Sequence, residues 1–384
     1  MGLKKESKQM NLKRFLRLLW IEPGLSRIEI AERLELDKST ITYMAAQLIK
    51  KGLIVETSEG EAGPQGGRKP VKLTLVGNAA CVGGVEMQPD GCRLVLINLL
   101  GSVCFEKEFK RQVSARSFQS VFEYAVQILQ QGSDDIGIPL LAVTLGVSGI
   151  VNPLDRIIIE SNPLGIREPM KVKSVFAEEK NIAVYVDNDA NCCAWGELAI
   201  GRDNPHKNLL FIMGEFREKA DGDRYYSGIA IGVGIVINRS VYYGQDFSAG
   251  EFRSILWQKP NKSQFSLSDE ETFHVKENDS LMNAFISELS NHVAFLVNML
   301  NTEIVFLGGT LEDYSDRLIP QITEKINHYW PYGEKKDCIV VNSTTRDQAV
   351  SYGAAGMLLK KIFHVPQVEL FDDDESGLFL RLIQ

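Results

Sequence analysis

Long apolar runs are what this chain most clearly lacks. No stretch approaches the roughly 18 consecutive apolar residues of a membrane-crossing helix, so no spanning segment is expected. The opening MGLKKESKQMNLKRF is positively charged, but no apolar core and small-residue cleavage site follow it, so it is not read as a secretion signal. Histidine and cysteine are scarce, five and six in 384 residues. None of Cys81, Cys92, Cys104, Cys192, Cys193 and Cys338 has the CxxC spacing of a metal site. Buried thiols in a reducing, cytoplasmic setting are the expectation, with no bound metal and no cofactor.

What is present describes a soluble protein with full cores: 44% hydrophobic and 24% charged residues, in a length sufficient for two or three domains. The net charge of −8 is uneven. Residues 1–80 hold 14 Lys and Arg against 9 Asp and Glu, which leaves 28 against 41 for the rest. A mildly basic front on an acidic body points to a polyanion met by the front alone.

Three helical patterns open the chain. MNLKRFLRLLW sets Leu12, Phe15, Leu16 and Leu19 on one face. Pro23 and Gly24 break that helix, and Ser26 is placed to cap a second, whose inner face is Ile30, Ala31 and Leu34. Asp37 is the expected cap of a third, with Ile41, Met44, Ala45 and Leu48 inward and Gly52 at its end. The short link between helices two and three is that of a helix-turn-helix. Lys38, Ser39, Thr40, Thr42 and Tyr43 crowd the start of the third helix, where such side chains meet phosphates and base edges. Two strands, expected at 53–57 and 71–76, flank a glycine-rich tip carrying Arg68 and Lys69. Helix, helix, helix and basic wing predict double-stranded DNA as a partner, with the wing in a minor groove or on phosphates.

From residue 79 strands and helices alternate, which argues for an α/β body. A hairpin turns at Pro89-Asp90-Gly91, an amphipathic helix follows, and LLAVTLGVSGIV reads as a buried strand ending in a glycine loop. YVDNDANCCAWGE then brings Asp187 and Asp189 to the carboxyl end of a strand, where α/β proteins place ligands and bases. A helix cap is the plainer role, and Asp187 is expected to fill it. Trp195 and Cys192-Cys193 read as core, and FDDDESG as a solvated tail before LFLRLIQ, which is expected to dock as a last strand or on a partner chain.

LSRIEIAERLELDKSTITYMAAQLIKKGLI, GGRKP, VDNDANCCAWGE, GIAIGVGIVI, AGEF and IVFLGG, in that order, resemble the ROK family, which joins bacterial transcriptional repressors to sugar kinases. The resemblance implies a two-lobed actin/hexokinase-type α/β body behind a winged helix-turn-helix. The expected division is 1–78 for the DNA-binding domain, 79–189 for the first lobe, and 190–384 for the second lobe with the C-terminal helix and tail.

The resemblance leaves a kinase or a ligand-sensing repressor open, and the departures from the family pattern decide the expectation. Where the kinases have Asp-x-Gly-Gly-Thr, this chain has Glu86, Met87, Gln88, Pro89 and Asp90. Proline removes an N–H donor and side chains crowd a phosphate where glycine admits it. Where they have Gly-Thr-Gly-x-Gly-x-Gly, it has Gly228-Ile229-Ala230-Ile231-Gly232-Val233-Gly234. The family's zinc ligands are missing too, with Arg253 and Ser254 at the Gly-His positions and no cysteine before Cys338. His274 stands alone nearby and is expected at the surface. The ligand side is retained: by resemblance Asn188, Asp189 and Glu251 contact sugar hydroxyls, with Gly149 and Asn162 completing the pocket. Carboxylates accept from vicinal hydroxyls without any chemistry. A sugar-responsive regulator, binding its operator as a homodimer because one recognition helix covers one half-site, is therefore expected. No catalytic residue is assigned.

Overall fold

The computed structural model describes residues 2–59, 71–201, 206–218, 227–365 and 374–383. The N-terminal unit consists of α1 (Gly2–Ile21), β1 (Leu25–Ser26), α2 (Arg27–Leu34), α3 (Lys38–Lys50), β2 (Ile54–Glu59) and β3 (Val71–Leu75). Ser26 and Glu29 close a reciprocal capping box: the Ser26 hydroxyl accepts from the Glu29 N–H at 3.3 Å and the Glu29 carboxylate from the Ser26 N–H at 2.7 Å. Asp37 stands at the N-cap of α3 but makes no side-chain cap bond. Gly52, in the left-handed region at φ 70°, ends α3. The wing sheet has the order β1-β3-β2. Arg68 and Lys69 lie outside the described residues.

The body holds two five-stranded sheets. In the first, β4 (Cys81–Gln88), β5 (Gly91–Asn98) and β6 (Val103–Lys110) form an antiparallel meander, as the Pro89-Asp90 turn predicts. Helix α4 (Phe118–Ile136) then crosses over, so that β7 (Leu140–Val147) runs parallel to β4. A small sheet of β8 (Ile150–Asn152), β9 (Ile157–Glu160) and β10 (Met170–Lys171) and the short α5 (Val175–Glu179) precede β11 (Ala183–Asn188), parallel to β7. The order is β11-β7-β4-β5-β6.

Helix α6 (Asp189–Ile200) leads to the second sheet, of order β14-β13-β12-β15-β16. It is made by β12 (Leu209–Phe216), β13 (Ile229–Ile237), β14 (Ser240–Val241), β15 (Ile304–Gly309) and β16 (Ile339–Asn342). Helices α7 (Asp269–Phe273), α8 (Asp279–Leu300) and α9 (Ser315–His328) accompany it, and α10 (Ala349–Phe363) and α11 (Asp374–Ile383) close the chain.

Helix α10 joins the lobes because glycines let backbones touch. A Cβ on Gly353 would lie 1.8 Å from the Cys192 carbonyl oxygen on α6, and one on Gly84 would lie 1.8 Å from the Ser351 carbonyl oxygen. So α10 is wedged between α6 and β4 of the first sheet, and the lobe boundaries drawn from the sequence remain a proposal. The winged unit shares one core with the body: Leu19 and Trp20 pack with Leu99, Phe363, Leu378 and Phe379. Among the described residues, LFLRLI forms no strand. It belongs to α11, whose Leu378, Phe379 and Leu382 are buried in that shared core, because their spacing suits a helix face.

Candidate functional site

In the winged unit, α3 turns Ile41, Met44, Ala45 and Leu48 inward, which leaves Lys38, Ser39, Thr42 and Tyr43 exposed and Thr40 half-buried. The Thr42 hydroxyl donates back to the Lys38 carbonyl at 2.8 Å. Tyr43, 60% exposed, accepts from Lys8 Nζ at 3.2 Å, and that ammonium lies 4.8 Å from the ring centroid. The face holds a cation and amphipathic donors, the chemistry of phosphate and base-edge contacts.

The second site lies between the two sheets. Gly149, Asn162, Asn188, Asp189 and Glu251 all border one cavity of about 300 Å³. Strand β11 ends at Asn188, which caps α6: its Oδ1 accepts from the Asn191 N–H at 3.1 Å and its Nδ2 donates to the Gly149 carbonyl at 2.9 Å. Asn188 thus ties the loop after β7 to the start of α6. Gly149 is required there, at φ 121° with a Cβ position 2.1 Å from the Glu160 carbonyl oxygen. Asn162 lies on the exposed turn between Ser161 and Ile166.

Asp189 begins α6, where the helix dipole favours an anion. Its Oδ2 accepts from the Ser148 hydroxyl at 2.5 Å. Burial raises its carboxyl above the ordinary range, against the pull of that bond. Glu251 comes from the other lobe, bridged to Gly232 of β13. Its side chain is open to solvent, yet the surrounding protein and the charges on Asp189 and Glu160 raise its carboxyl too.

Asp187 is not the helix cap; Asn188 is. Asp187 is fully buried, accepts from the Tyr243 hydroxyl at 2.7 Å and the Asn188 N–H at 2.8 Å, and is pushed up to about 6 by burial. Trp195 Nε1 donates to the same Tyr243 oxygen at 3.2 Å. This buried chain anchors the loop that runs to Glu251, and Tyr243 carries no motif that would single it out along the sequence. The same holds for Gln264. Its amide clamps β13 to the loop, donating to the Ile231 and Phe252 carbonyls at 2.7 and 2.8 Å and accepting from the Ile231 N–H at 2.7 Å. Arg217, Arg253 and Lys262 also border the cavity, with Arg217 paired to Glu215 at 2.7 Å and Arg253 4.5 Å from the Trp257 ring centroid.

The segment where the family resemblance places zinc is built otherwise here. The Ser254 N–H donates to the Gln264 carbonyl at 2.8 Å, and the Lys262 and Ser263 N–H groups donate to Asp269 at 2.9 and 2.8 Å. Arg253 and Ser254 offer no soft donor, so the residues present do not fit a zinc ion. His274 is exposed between Glu270 and Glu277.

The MarR family pattern matches residues 10–58 and the ROK family pattern residues 82–262. The chain carries a ROK family domain behind a MarR-type winged helix-turn-helix. The xylose repressor of Caldicellulosiruptor bescii is 22% identical, over 94% of this chain and 98% of its own. The crystal structure of a ROK family transcriptional regulator, a homologue of the E. coli Mlc protein, superimposes with a TM-score of 0.73 at 18% identity over 98% of this chain and 99% of that one. A ROK family glucokinase from Streptomyces griseus, in complex with glucose and AMPPNP, superimposes with a TM-score of 0.53 at 17% identity over 72% of this chain and 98% of its own. The ROK body thus shares the fold of that glucokinase, and the winged unit shares one core with it. Among the described residues no helix is long and apolar enough to cross a membrane.

Proposed function

We propose that this protein is a sequence-specific transcriptional repressor that reads double-stranded operator DNA and responds to a sugar or sugar-like effector without phosphorylating it. The observation that carries this reading is the pairing of Asp189 and Glu251, one from each lobe, on a single cavity of about 300 Å³. A polyol bridging the two carboxylates binds one closure of the lobes better than another, and only that difference can move the DNA-binding unit. The protein acts in the cytoplasm, with Gly149, Asn162, Asn188, Asp189 and Glu251 around the effector and Lys38, Ser39, Thr40, Thr42, Tyr43, Arg68 and Lys69 on DNA.

The neighbouring cleft supports the absence of kinase activity. It measures about 580 Å³ and is lined by Glu86, Glu215, Glu312, Asp313 and Asp347 against Arg93 and Arg346. Nucleotide phosphates need positive or N–H-rich walls, and the acids of this cleft that stay ionised repel them. Burial pushes Glu86 up to about 7, and Gln88 Nε2 donates to it at 2.6 Å across the turn where a phosphate loop is required. The test combines calorimetry with a panel of pentoses, hexoses and amino sugars, anisotropy on operator DNA, and a coupled assay with ATP and magnesium. Sugar binding that shifts operator affinity is the expected result. Turnover abolished by Asp189→Asn would establish a sugar kinase instead.

A further inference from the structure

The effector cavity and the acidic cleft beside it share two residues, Met213 and Glu215. Both are half-buried and stand on one face of β12, two residues apart. On one side of β12 lies β13, which carries Ala230 and Gly232 into the effector cavity. On the other lies β15, which ends at Gly309 in the cleft. Neighbouring strands stand about 4.8 Å apart, so the two cavities lie side by side across a single strand. The effector cavity, at about 300 Å³, is at the lower limit of small-molecule sites, whereas the cleft, at about 580 Å³, falls well inside their range.

One wall of the cleft lacks a donor. Glu312, in the turn after β15, has its Oε1 shut off from solvent with no hydrogen-bond partner among the described residues. A buried acceptor left unpaired is costly, and a ligand that donates to it removes that cost. The other wall groups decide which ligand. Phosphates are repelled, as argued above. Among the described residues no group of three or more His, Cys, Asp or Glu is placed to hold a metal ion. An organic cation would meet Arg93 and Arg346 on the same walls. Desolvation also pushes Glu86 and Glu312 up to about 7, so each is only partly ionised at neutral pH. A hydroxyl donates and accepts, and so pairs with a carboxylate, a protonated carboxyl and a guanidinium alike. A polyol suits every one of these groups.

We infer that the cleft is a second sugar subsite and that the effector is an oligosaccharide of at least two rings. One ring lies on Asp189 and Glu251, and the next lies across β12 between Glu312 and Asp347. Met213, an adaptable thioether, and Glu215 form the wall that both rings share. Asp347 is exposed and stands two residues before α10, whose first residues Ala349 and Val350 also line the cleft. The second ring therefore rests on the start of the helix that packs against the winged unit. This inference rests on the effector reading and deepens it: the ligand is a glycan fragment, and the free monosaccharide fills only half of its site.

Calorimetry on the full chain with xylobiose, cellobiose, maltose and chitobiose, each beside its own monosaccharide, tests it. At least one disaccharide is expected to bind roughly ten- to a hundredfold more tightly than its monosaccharide. Glu312→Ala and Asp347→Ala should each cut that preference about tenfold, read as the ratio of the two affinities in the same protein. Thermal unfolding without sugar separates binding from folding. Glu312→Ala removes an unpaired acceptor and should not lower the midpoint, whereas a structural acid would lower it. If no disaccharide outbinds its monosaccharide, or the preference survives in both folded variants, the second subsite is overturned and the effector reading stands. Displacement of the disaccharide by ADP with magnesium, or by spermidine, overturns it as well and assigns the cleft to a nucleotide or a cation. A protein that binds no sugar of either size overturns the effector reading and this inference with it.

Discussion

The rings of Trp20 and Phe363 are stacked, their centroids 4.8 Å apart and their planes 14° from parallel. Trp20 belongs to α1 of the winged unit and Phe363 to the last turn of α10. The indole N–H also donates to the Leu99 carbonyl at 2.9 Å, at the end of the β5 hairpin. The other end of α10 lies against α6, whose first residue is Asp189. One helix therefore runs from α6, whose first residue borders the proposed effector cavity, to the winged unit, and a shift of the lobes would have a rigid route outward.

Phe363→Ala should open that route. A buried phenylalanine cut to alanine costs about 3 kcal/mol or more, which thermal unfolding will register as a lower midpoint. The sharper readout is coupling: operator affinity should respond less to the effector, and Phe363→Leu should restore part of the response. A variant that keeps the full response would show that the signal takes another path.

Glu86 sets a pH dependence. Its carboxyl is buried and pushed up to about 7 from an ordinary 4.5, with Arg93 only 3.4 Å away to offset burial in part. A carboxyl whose folded value is raised costs nothing below its unfolded value and destabilises progressively as pH rises from about 4.5 to 7. The full cost is on the order of 3 kcal/mol. Glu86→Gln should therefore gain stability relative to wild type at pH 8 and not at pH 4, measured by urea unfolding at both.

The winged unit is legible in the sequence because its rules are local. Ser26 three residues before Glu29 states a capping box, and Gly52 states a helix end. Asn188, Asp189 and Glu251 are found through motifs, and a motif covers no more than the residues proposed to meet the effector. Tyr243 and Gln264, which hold the Glu251 loop, act across the fold on Asp187 and on β13, and no spacing along the chain encodes that. LFLRLIQ misleads because a short apolar run fits a strand or a helix equally well; the shared core with α1 decides for the helix.

On DNA, the exposed face of α3 and the wing should separate by how each weakens binding. Tyr43→Ala and Lys38→Ala change groups exposed on one helix face. Tyr43→Ala, by removing a side chain proposed to meet a base edge, should relax specificity at one position, costing about 1–3 kcal/mol on the preferred sequence. Lys38→Ala and Arg68→Ala should weaken all sequences alike and lower the salt slope by about one each. Anisotropy at several salt concentrations, on operator and scrambled DNA, measures both effects.

The effector cavity makes the last prediction. Asp189 and Glu251 stand on opposite lobes, and desolvation by the protein packed around them leads the causes that raise both carboxyls, though Glu251 keeps an open side to solvent. Each must be ionised to accept from two hydroxyls, so effector affinity should fall as pH drops through their raised values. Removing a charged hydrogen-bond partner costs about 1.5–3 kcal/mol, roughly ten- to a hundredfold in affinity. Asp189→Ala and Glu251→Ala should each weaken binding by that much, while operator binding without effector stays near wild type, because neither side chain touches the winged unit. Gln264→Ala should cost a smaller factor, since it frees the loop that carries Glu251 and leaves both carboxylates in place. Calorimetry with the sugar that wild type binds gives the affinities, and anisotropy gives the operator constants. A Glu251→Ala protein that binds the sugar as tightly as wild type would move the second wall of the site elsewhere, and Arg253 and Lys262, which border the same cavity, would be the next residues to change.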